Sequence, residues 1–332
     1  MKRNRWLDIA KGFFICSIVF SHSGNNTLHH YLFWFHVPAF FMIAGFLFKR
    51  IDNQHDLNIW TAKKIRRLLI PYVSFGLLIL IVIQMQDYNL NEIPIYIQNL
   101  FIGGQFIGYH YGIFWFVTAF LITQILFAYL TTYIKSDVII ITIAAASYIL
   151  AHIYSLSQPT IKIPWSIDTV LITFPYMVLG YYSKNIIDKI KMSYSVIAVF
   201  IIGIVVLLDR YNFIRYDLDL KVNLYNHLAL DLIVPISCVV IILFISKKVE
   251  NSYIGTVFEQ FGKSSMSIMY THVSIMIILK QHIELNVVLI ATMSLLISFV
   301  IHILMKQFKI TEFLFFGNIN KKVKYEKQTR SA

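Results

Sequence analysis

Three ionisable side chains lie within the first long apolar segment of the chain, residues 6–23. Asp8 and Lys11 stand near its start and His22 near its end. At about 100° per residue, a helix places all three within about 60° of one another, with His22 roughly 16 Å along the axis from Lys11. An acid and an ammonium group can pair, and an imidazole can take up a proton near neutral pH. Such a stripe must face protein or water rather than lipid.

Two interpretations of this stripe are possible. Asp8 and Lys11 could form a structural ion pair while His22 lies in the headgroup region, or all three could belong to one functional site. His36 favours the second interpretation, because it lies about two turns into the next apolar segment, which runs in the opposite direction. A single intramembrane histidine is commonly a packing residue, whereas two at a similar depth indicate a site.

The elements that must position these residues are membrane helices. Of 332 residues, 58% are hydrophobic and 14% are charged, and the mean hydropathy is +0.66, whereas soluble domains carry about 25% charged residues. An apolar run of about 18–25 residues can cross the ~30 Å hydrocarbon core. We therefore predict an all-α polytopic membrane protein with about ten transmembrane helices. The predicted spans are 6–23, 31–48, 68–86, 113–134, 137–155, 166–183, 193–209, 226–246, 266–283 and 286–306.

The net charge of +12 is better explained by membrane topology than by nucleic-acid binding. If the N-terminus is cytoplasmic, most Lys and Arg residues fall on the cytoplasmic side, as the positive-inside rule requires. The outer side then holds only Lys162, Arg210, Arg215, Lys221 and Lys280. Both termini are therefore expected in the cytoplasm, with one transmembrane domain over residues 1–310 and a basic cytoplasmic tail over residues 311–332.

Other motifs narrow the chemistry. Cys16 and Cys238 both fall inside predicted spans, so no disulfide is expected, and no Cys/His cluster has the spacing of a metal site. The outer connection 87–112 contains no Lys or Arg and is rich in Gly, Tyr and Asn. That composition suits a segment that lines a cavity better than a folded extracellular domain. The first apolar run lacks a small-residue cleavage pattern, so it is expected to remain as a helix.

Several motifs, in this order along the chain, resemble the membrane-bound acyltransferase-3 family, and most closely its fucose 4-O-acetylase-like members that acetylate surface sugars. These motifs are RWLDIAKGFFICSIVFSH, FHVPAFFMIAGFLFK, KKIRRLLIPY, WFVTAFL, SIDTVLITFPYMVLGYYSK and FGKSSMSIMYTH. The family has a basic residue ten intervening positions before a histidine in the first helix, which corresponds to Lys11 and His22. Its basic cluster before the third helix corresponds to Lys63, Lys64, Arg66 and Arg67.

The resemblance implies a multi-pass protein of the plasma membrane, in a bacterium, that transfers an acyl group, usually acetyl, from cytoplasmic acyl-CoA to a sugar hydroxyl. The acceptor would be a surface glycan or a lipid-linked sugar. Acetyl-CoA would serve as the donor substrate, membrane lipid would surround the protein, and neither a metal nor nucleic acid is expected. The principal alternative is a transporter or flippase of a lipid-linked sugar, although the two halves show no matching broken helices. A non-catalytic membrane sensor is a third alternative.

Candidate roles follow from the resemblance and from the chemistry of each residue type. His22 is the first candidate for general base, because a sugar hydroxyl attacks well only when a base takes its proton. His36 is a candidate for orienting the acceptor or stabilising charge on the thioester oxygen. Lys11 either contacts the donor or pairs with Asp8. Asp168, Trp115 and His272 are candidates for substrate binding, although His272 could equally be a packing residue.

The cluster formed by Lys63, Lys64, Arg66 and Arg67 has two possible roles. Basic residues beside a membrane span commonly set topology and meet anionic lipid. Four of them within five positions are also suited to CoA phosphates, which bind Arg forks and Lys point charges. We therefore expect this cluster to contribute to donor binding.

Overall fold

The computed structural model describes residues 4–158 and 161–318, and this part of the chain is almost entirely helical. Its helices are α1 (Arg5–Ser21), α2 (Asn26–Phe33), α3 (His36–Leu47), α4 (Gln54–Asp87), α5 (Ile93–Ile102), α6 (Trp115–Tyr133), α7 (Asp137–Leu156), α8 (Val170–Tyr182), α9 (Lys184–Asp188), α10 (Met192–Arg210), α11 (Leu230–Lys248), α12 (Tyr253–Lys263), α13 (Ser265–His282), α14 (Val287–Met305) and α15 (Lys309–Phe316). Two short antiparallel strands, β1 (Leu218–Asp219) and β2 (Leu224–Tyr225), form a hairpin between α10 and α11. We call the end of the bundle at which α1 begins the proximal end and the end at which α1 finishes the distal end.

Seven helical segments within the described residues are long and apolar enough to cross a membrane, so the prediction of an all-α polytopic membrane protein is confirmed. They are Asn26–Leu47, Gln54–Gln86, Tyr109–Tyr133, Asp137–Leu156, Met192–Arg210, Leu230–Lys248 and Val287–Met305. The other three predicted spans form α1, α8 and α13, with 17, 13 and 18 residues. These helices are short or carry polar residues, whereas a span needs about 20 mainly apolar residues.

Burial distinguishes central helices from peripheral ones. Helices α1 and α8 are buried along most of their length. By contrast, α10 is equally apolar but buries only Ser195, Ala198 and Val205. An apolar helix can remain on the outside of the bundle because lipid tails are as apolar as its side chains. Helices that carry polar groups, such as α1, therefore occupy the interior of the bundle.

Glycines allow two pairs of central helices to pack backbone against backbone. A side chain at Gly12 of α1 would overlap the carbonyl of Phe258 in α12, and one at Gly262 would overlap the carbonyl of Asp8. Helices α3 and α8 meet in the same way, through Gly45 and Gly180. Small residues commonly mark such close helix crossings in membranes.

Helix α12 was not anticipated from the sequence, and it changes the depth at which α13 begins. It crosses α1 between Asp8 and Gly12 and is held there by the ion pair between Arg5 and Glu259, whose nitrogen and oxygen are 2.7 Å apart. Helix α13 therefore starts within the bundle rather than at its proximal surface. In the predicted span 266–283, His272 would lie one to two turns from the first residue and hence near the proximal end. The structure places it near the distal end of α1, beside His22, with 5.7 Å between the ring centroids.

Part of the predicted cytoplasmic tail is an ordered helix. Residues 311–316 belong to α15, which packs along α4, and the rings of Phe75 and Phe315 are 4.8 Å apart. The basic residues of the tail after position 318 lie outside the described residues.

Replacing Gly45 by Ala should destabilise the protein. The new methyl group would meet backbone atoms of Met177 and Tyr181, which cannot move aside as a flexible side chain can. Overpacking of this kind costs about 1–3 kcal/mol. Gly203→Ala is the matched control, because nothing lies within 4 Å of that position in α10, and Ala is favoured over Gly in a helix by up to about 1 kcal/mol. Thermal unfolding in detergent, followed by size-exclusion chromatography, should give a lower midpoint for Gly45→Ala only. Equal midpoints for the two variants would contradict this account of the crossing.

Candidate active site

A cavity of about 510 Å³ lies near the distal end of the bundle. Its wall is mostly apolar, and three histidines face it: His22, His29 and His36. We call it the histidine cavity. The elements that form it are α1, α2, α3, α6, α13, the segment before α6 and the hairpin between α10 and α11. A mainly apolar pocket with a few polar groups is typical of a small-molecule site.

His22 stands immediately after α1, at the helix C-cap. The helix ends there because the chain turns at Ser23 and Gly24, and Gly24 adopts a φ of +92°. The imidazole of His22 lies between two rings, with centroid distances of 5.4 Å to Phe33 and 5.7 Å to His272. Among the described residues, neither ring nitrogen of His22 has a hydrogen-bond partner. The side chain is therefore positioned by packing, and both nitrogens remain available to a ligand.

Three neighbouring histidines are held in one tautomer by backbone carbonyls. The Nδ1 atoms of His29, His36 and His272 lie 3.2, 2.6 and 2.7 Å from the carbonyl oxygens of Ser21, Leu32 and Ile268. A carbonyl oxygen only accepts hydrogen bonds, so each neutral ring carries its proton on Nδ1 and leaves a lone pair on Nε2. Nε2 of His272 is buried without a partner among the described residues. This arrangement presents proton acceptors, rather than donors, around His22.

Phe33 of α2 is the centre about which the histidines are arranged. Its ring lies 3.9 Å from that of His29, 5.4 Å from that of His22 and 4.8 Å from that of His36. Helix α2 is in turn held by His30, whose two ring nitrogens lie 2.8 Å from Asp209 and 3.3 Å from Asp217. The side of the cavity formed by α2 is therefore anchored to the end of α10 and the loop that follows it.

A second cavity, of about 540 Å³, lies nearer the proximal end. We call it the basic cavity, because four cationic side chains face it together with the carboxylates of Asp52 and Asp56. The cationic residues are Lys11, Lys49, Arg50 and Lys64. Phe40 and Phe120 line both cavities. The two cavities are therefore adjacent and share a wall of aromatic rings.

Lys11 both pairs with Asp8 and faces the basic cavity. Its Nζ lies 2.7 Å from Oδ1 of Asp8, whose side chain is buried, while Lys11 retains 24% of its side-chain exposure. Lys64 is held similarly, because its Nζ donates to Oε1 of Gln124 at 2.6 Å and lies 5.2 Å above the ring of Trp60. The two ammonium groups therefore face the cavity from different helices.

The basic cluster of α4 is divided by the helical geometry. Lys64 faces the basic cavity, whereas Lys63 and Arg67 are exposed away from it and Arg66 lies half-buried outside its wall. Lys63 and Arg66 are rotated by about 100° and 160° from Lys64 around the axis, whereas Arg67 is rotated by only about 60° but lies almost one turn further along it. Lys49 and Arg50 face the cavity instead, although the sequence analysis treated them only as topology signals. Nε of Arg50 also donates to the carbonyl of Thr131 at 3.0 Å, at the end of α6.

The three predicted substrate-binding residues have different surroundings. Trp115 lines the histidine cavity, and His272 lies behind His22. The structure does not bring Asp168 to the histidines. It is buried outside the cavity wall, where Nδ2 of Asn223 donates to its carboxylate at 2.5 Å and fastens the loop after α10.

The histidine cavity is also lined by His29, Tyr109, Asp219 and Lys221, none of which was a candidate from the sequence. Only the composition of segment 87–112 suggested that its residues would line a cavity. The other three lie in outer connections, where polar residues are expected whether or not they have a function. Among the described residues, no group of three or more His, Cys, Asp or Glu side chains could hold a metal ion.

A comparison with known families gives one match, which covers nearly the whole described chain. The model of the acyltransferase-3 family, described as an acyltransferase domain, matches residues 4–305. No curated protein and no solved structure gives a significant match.

Proposed function

The chain belongs to the acyltransferase-3 family and is an acyltransferase, and from this premise we propose that it transfers an acetyl group from cytoplasmic acetyl-CoA to a sugar hydroxyl. The acceptor is a surface polysaccharide or its lipid-linked precursor, as in the fucose 4-O-acetylase-like members that the sequence resembles. The observation that carries the proposal is the wall shared by the two cavities. In this proposal a thioester held from the basic cavity passes between Phe40 and Phe120 to reach His22.

The proposed topology assigns the basic cavity to the cytoplasm of a bacterial cell. All ten predicted segments then cross the plasma membrane or lie buried within it, and both termini are cytoplasmic. Support comes from Lys49, Arg50 and Lys64, which lie at the proximal end, because cytoplasmic loops carry an excess of Lys and Arg. The histidine cavity then opens towards the outer face, where a surface glycan is found.

The proposed reaction is a direct attack of the acceptor hydroxyl on the thioester carbonyl. His22 takes the hydroxyl proton as the C–O bond forms, which is the usual contribution of a histidine base. The C–S bond then breaks, and the protonated His22 returns the proton to the departing CoA sulfur. The products are an acetylated sugar and CoA. The Nε2 lone pairs of His36 and His272 favour an acceptor that donates hydrogen bonds, such as a sugar hydroxyl.

The proposed donor site uses cationic side chains of the basic cavity. Lys64 binds a phosphate of CoA, and Lys11, which pairs with Asp8, contacts the donor nearer the thioester. Lys ammonium groups act as point charges for phosphate, and Arg50 adds a guanidinium at the same cavity. Lys63, Arg66 and Arg67 then contribute to topology and to contacts with anionic lipid. Trp115 packs against substrate in the histidine cavity.

A transporter of a lipid-linked sugar is the second candidate, because two adjoining cavities also suit a substrate that crosses the bundle. The two functions differ in what happens to acetyl-CoA. An acetyltransferase moves the labelled acetyl group from CoA to glycan, whereas a transporter moves an unmodified substrate and leaves acetyl-CoA intact.

His22→Gln should abolish transfer while leaving the amount of protein in the membrane unchanged. Glutamine keeps hydrogen-bonding capacity but cannot act as a base, and a general base contributes about 10²–10⁴-fold. Each variant is expressed in cells that lack the chromosomal gene, and the measurement is the incorporation of labelled acetyl into the glycan of their membranes. His55→Gln is the control, because His55 is exposed and outside both cavities. More than a few per cent of wild-type transfer in His22→Gln would exclude His22 as the base.

Lys64→Met should weaken acetyl-CoA binding roughly 10- to 150-fold, because a hydrogen bond to a charged group contributes about 1.5–3 kcal/mol. Calorimetry on detergent-purified protein measures this affinity directly. Lys63→Met is a closely matched control, since it removes the same charge from the adjacent position but from an exposed side chain outside the cavity. Equal losses of affinity in the two variants would mean that Lys64 acts only through the general positive charge of this region.

The topology predicts opposite labelling at the two ends of the bundle. In a variant without Cys16 and Cys238, a cysteine at Tyr211 should react with a membrane-impermeant maleimide added to intact cells, because Tyr211 is exposed in the distal loop. A cysteine at His55, which is exposed at the proximal end, should react only after the cells are opened. External labelling at His55 would reverse the proposed orientation and the side from which the donor enters.

A further inference from the structure

Two chain segments meet at the distal mouth of the histidine cavity. One contains Tyr109 and Gly112, just before α6, and the other is the hairpin segment 218–222, which contains Asp219 and Lys221. Both segments line the cavity, and Nζ of Lys221 joins them by donating to the carbonyl of Gly112 at 3.1 Å. The mouth is therefore formed by two loops fastened to each other.

Tyr109 presents an aromatic ring at this mouth. The ring lines the cavity while the residue remains 63% exposed, and the backbone adopts a φ of +50°, which is uncommon for a residue other than glycine. Left-handed backbone at a bulky residue persists only where the surroundings impose it, and such residues cluster at binding sites. An exposed aromatic ring at a cavity entrance is a suitable surface for the apolar face of a sugar ring.

Asp219 and Lys221 supply an acceptor and a donor beside this ring. Oδ1 of Asp219 accepts a hydrogen bond from the backbone N–H of Lys221 at 2.9 Å, which fixes the carboxylate in the turn. Among the described residues, no salt bridge joins the two side chains, although both line the cavity. Burial raises the pKa of Asp219 and lowers the pKa of Lys221. Lys221 and His29 act in the opposite direction on Asp219 and lower its pKa, whereas Asp219 raises and Lys162 lowers the pKa of Lys221. A ligand that hydrogen-bonds to both groups would compensate for the cost of burying them.

We propose that this mouth is the acceptor subsite and that it selects a neutral pyranose with two adjacent free hydroxyl groups. Asp219 accepts a hydrogen bond from one hydroxyl, Lys221 donates to the other, and Tyr109 packs against the ring. The inference deepens the proposed function and depends on it. The sugar is held between the outer face and His22, which takes the proton of a further hydroxyl deeper in the cavity.

The balance of charge supports a neutral sugar. One carboxylate and one ammonium group face the mouth, so a uronic acid would meet Asp219 and an amino sugar would meet Lys221. Unfavourable encounters of this kind contribute to specificity as much as attractive contacts do. A neutral diol can donate a hydrogen bond to Asp219 and accept one from Lys221, and it brings no charge of its own to either group.

The test measures how transfer depends on the amount of acceptor and, separately, on the amount of donor. The acceptor is alkali-treated surface glycan from cells that lack the gene, and the donor is labelled acetyl-CoA. Asp219→Asn and Lys221→Met should each raise the half-saturating amount of glycan roughly 10-fold or more, since each removes a hydrogen bond to a charged group. The KM for acetyl-CoA should change by less than about twofold, because the donor enters from the other cavity. Tyr109→Ala should also weaken glycan dependence, and Tyr109→Phe should restore it.

Lys162→Met is the matched control for Lys221→Met. Lys162 lies close enough to affect Lys221 electrostatically, but it is exposed and does not line the cavity. It should leave glycan dependence unchanged. The amount of each variant in the membrane is measured in parallel, because a low amount indicates a folding defect. If Lys221→Met or Tyr109→Ala fails to fold, the conservative variants Asp219→Asn and Tyr109→Phe decide the test.

Four other results are possible, and each contradicts a different part of the proposal. Unchanged glycan dependence in Asp219→Asn and Lys221→Met would exclude the subsite, and an equal rise in the KM for acetyl-CoA would assign these residues to the donor. Tighter glycan binding in Asp219→Asn with weaker binding in Lys221→Met would indicate an anionic acceptor rather than a neutral one. Absence of transfer by the wild-type protein would instead contradict the proposed function itself.

Discussion

The rest of the structure depends on one constraint, namely that the ionisable stripe of α1 cannot face lipid. Asp8, Lys11 and His22 together would be costly on the surface of a hydrocarbon-embedded bundle. Other helices therefore surround α1, and the glycine crossing with α12 brings two backbones together beside Asp8. Apolar helices such as α10 occupy the periphery because lipid satisfies them equally well. The helix that carries this ionisable stripe is thus buried along most of its length, and the cavities form beside it.

The two ends of the same stripe face different cavities. The ammonium group of Lys11 faces the basic cavity and the imidazole of His22 faces the histidine cavity. An aromatic wall that includes Phe40 and Phe120 lies between the cations proposed to bind the donor phosphates and the histidine proposed as the base. Backbone carbonyls fix Nδ1–H in His36 and His272, which leaves acceptor nitrogens around His22, the proposed general base.

Helical periodicity explains why some site residues could be predicted and others could not. The positions of Asp8, Lys11 and His22 on one face follow from about 100° per residue, and the pair formed by Asp8 and Lys11 in the structure agrees with that geometry. The same rule could have separated Lys64 from Lys63 and Arg66, but not from Arg67, and it could not say which face meets a cavity. The surroundings of Asp168 could not be predicted at all, because its partner Asn223 lies 55 positions away and no local pattern indicates that contact.

The sequence by itself determined that this is an all-α membrane protein, that His22 and His36 reach a similar depth and that an acyltransferase family is the relevant comparison. These conclusions depend on apolar run length, helical periodicity and motifs, all of which are local. Only the tertiary structure decided that α12 crosses α1, that His272 therefore lies beside His22, and that Lys49 and Arg50 face a cavity. It also brought the hairpin with Asp219 and Lys221 to the mouth of the histidine cavity. Contacts of this kind join residues more than a hundred positions apart, as Lys221 and Gly112 are, and they are set by how whole helices pack rather than by the character of either segment.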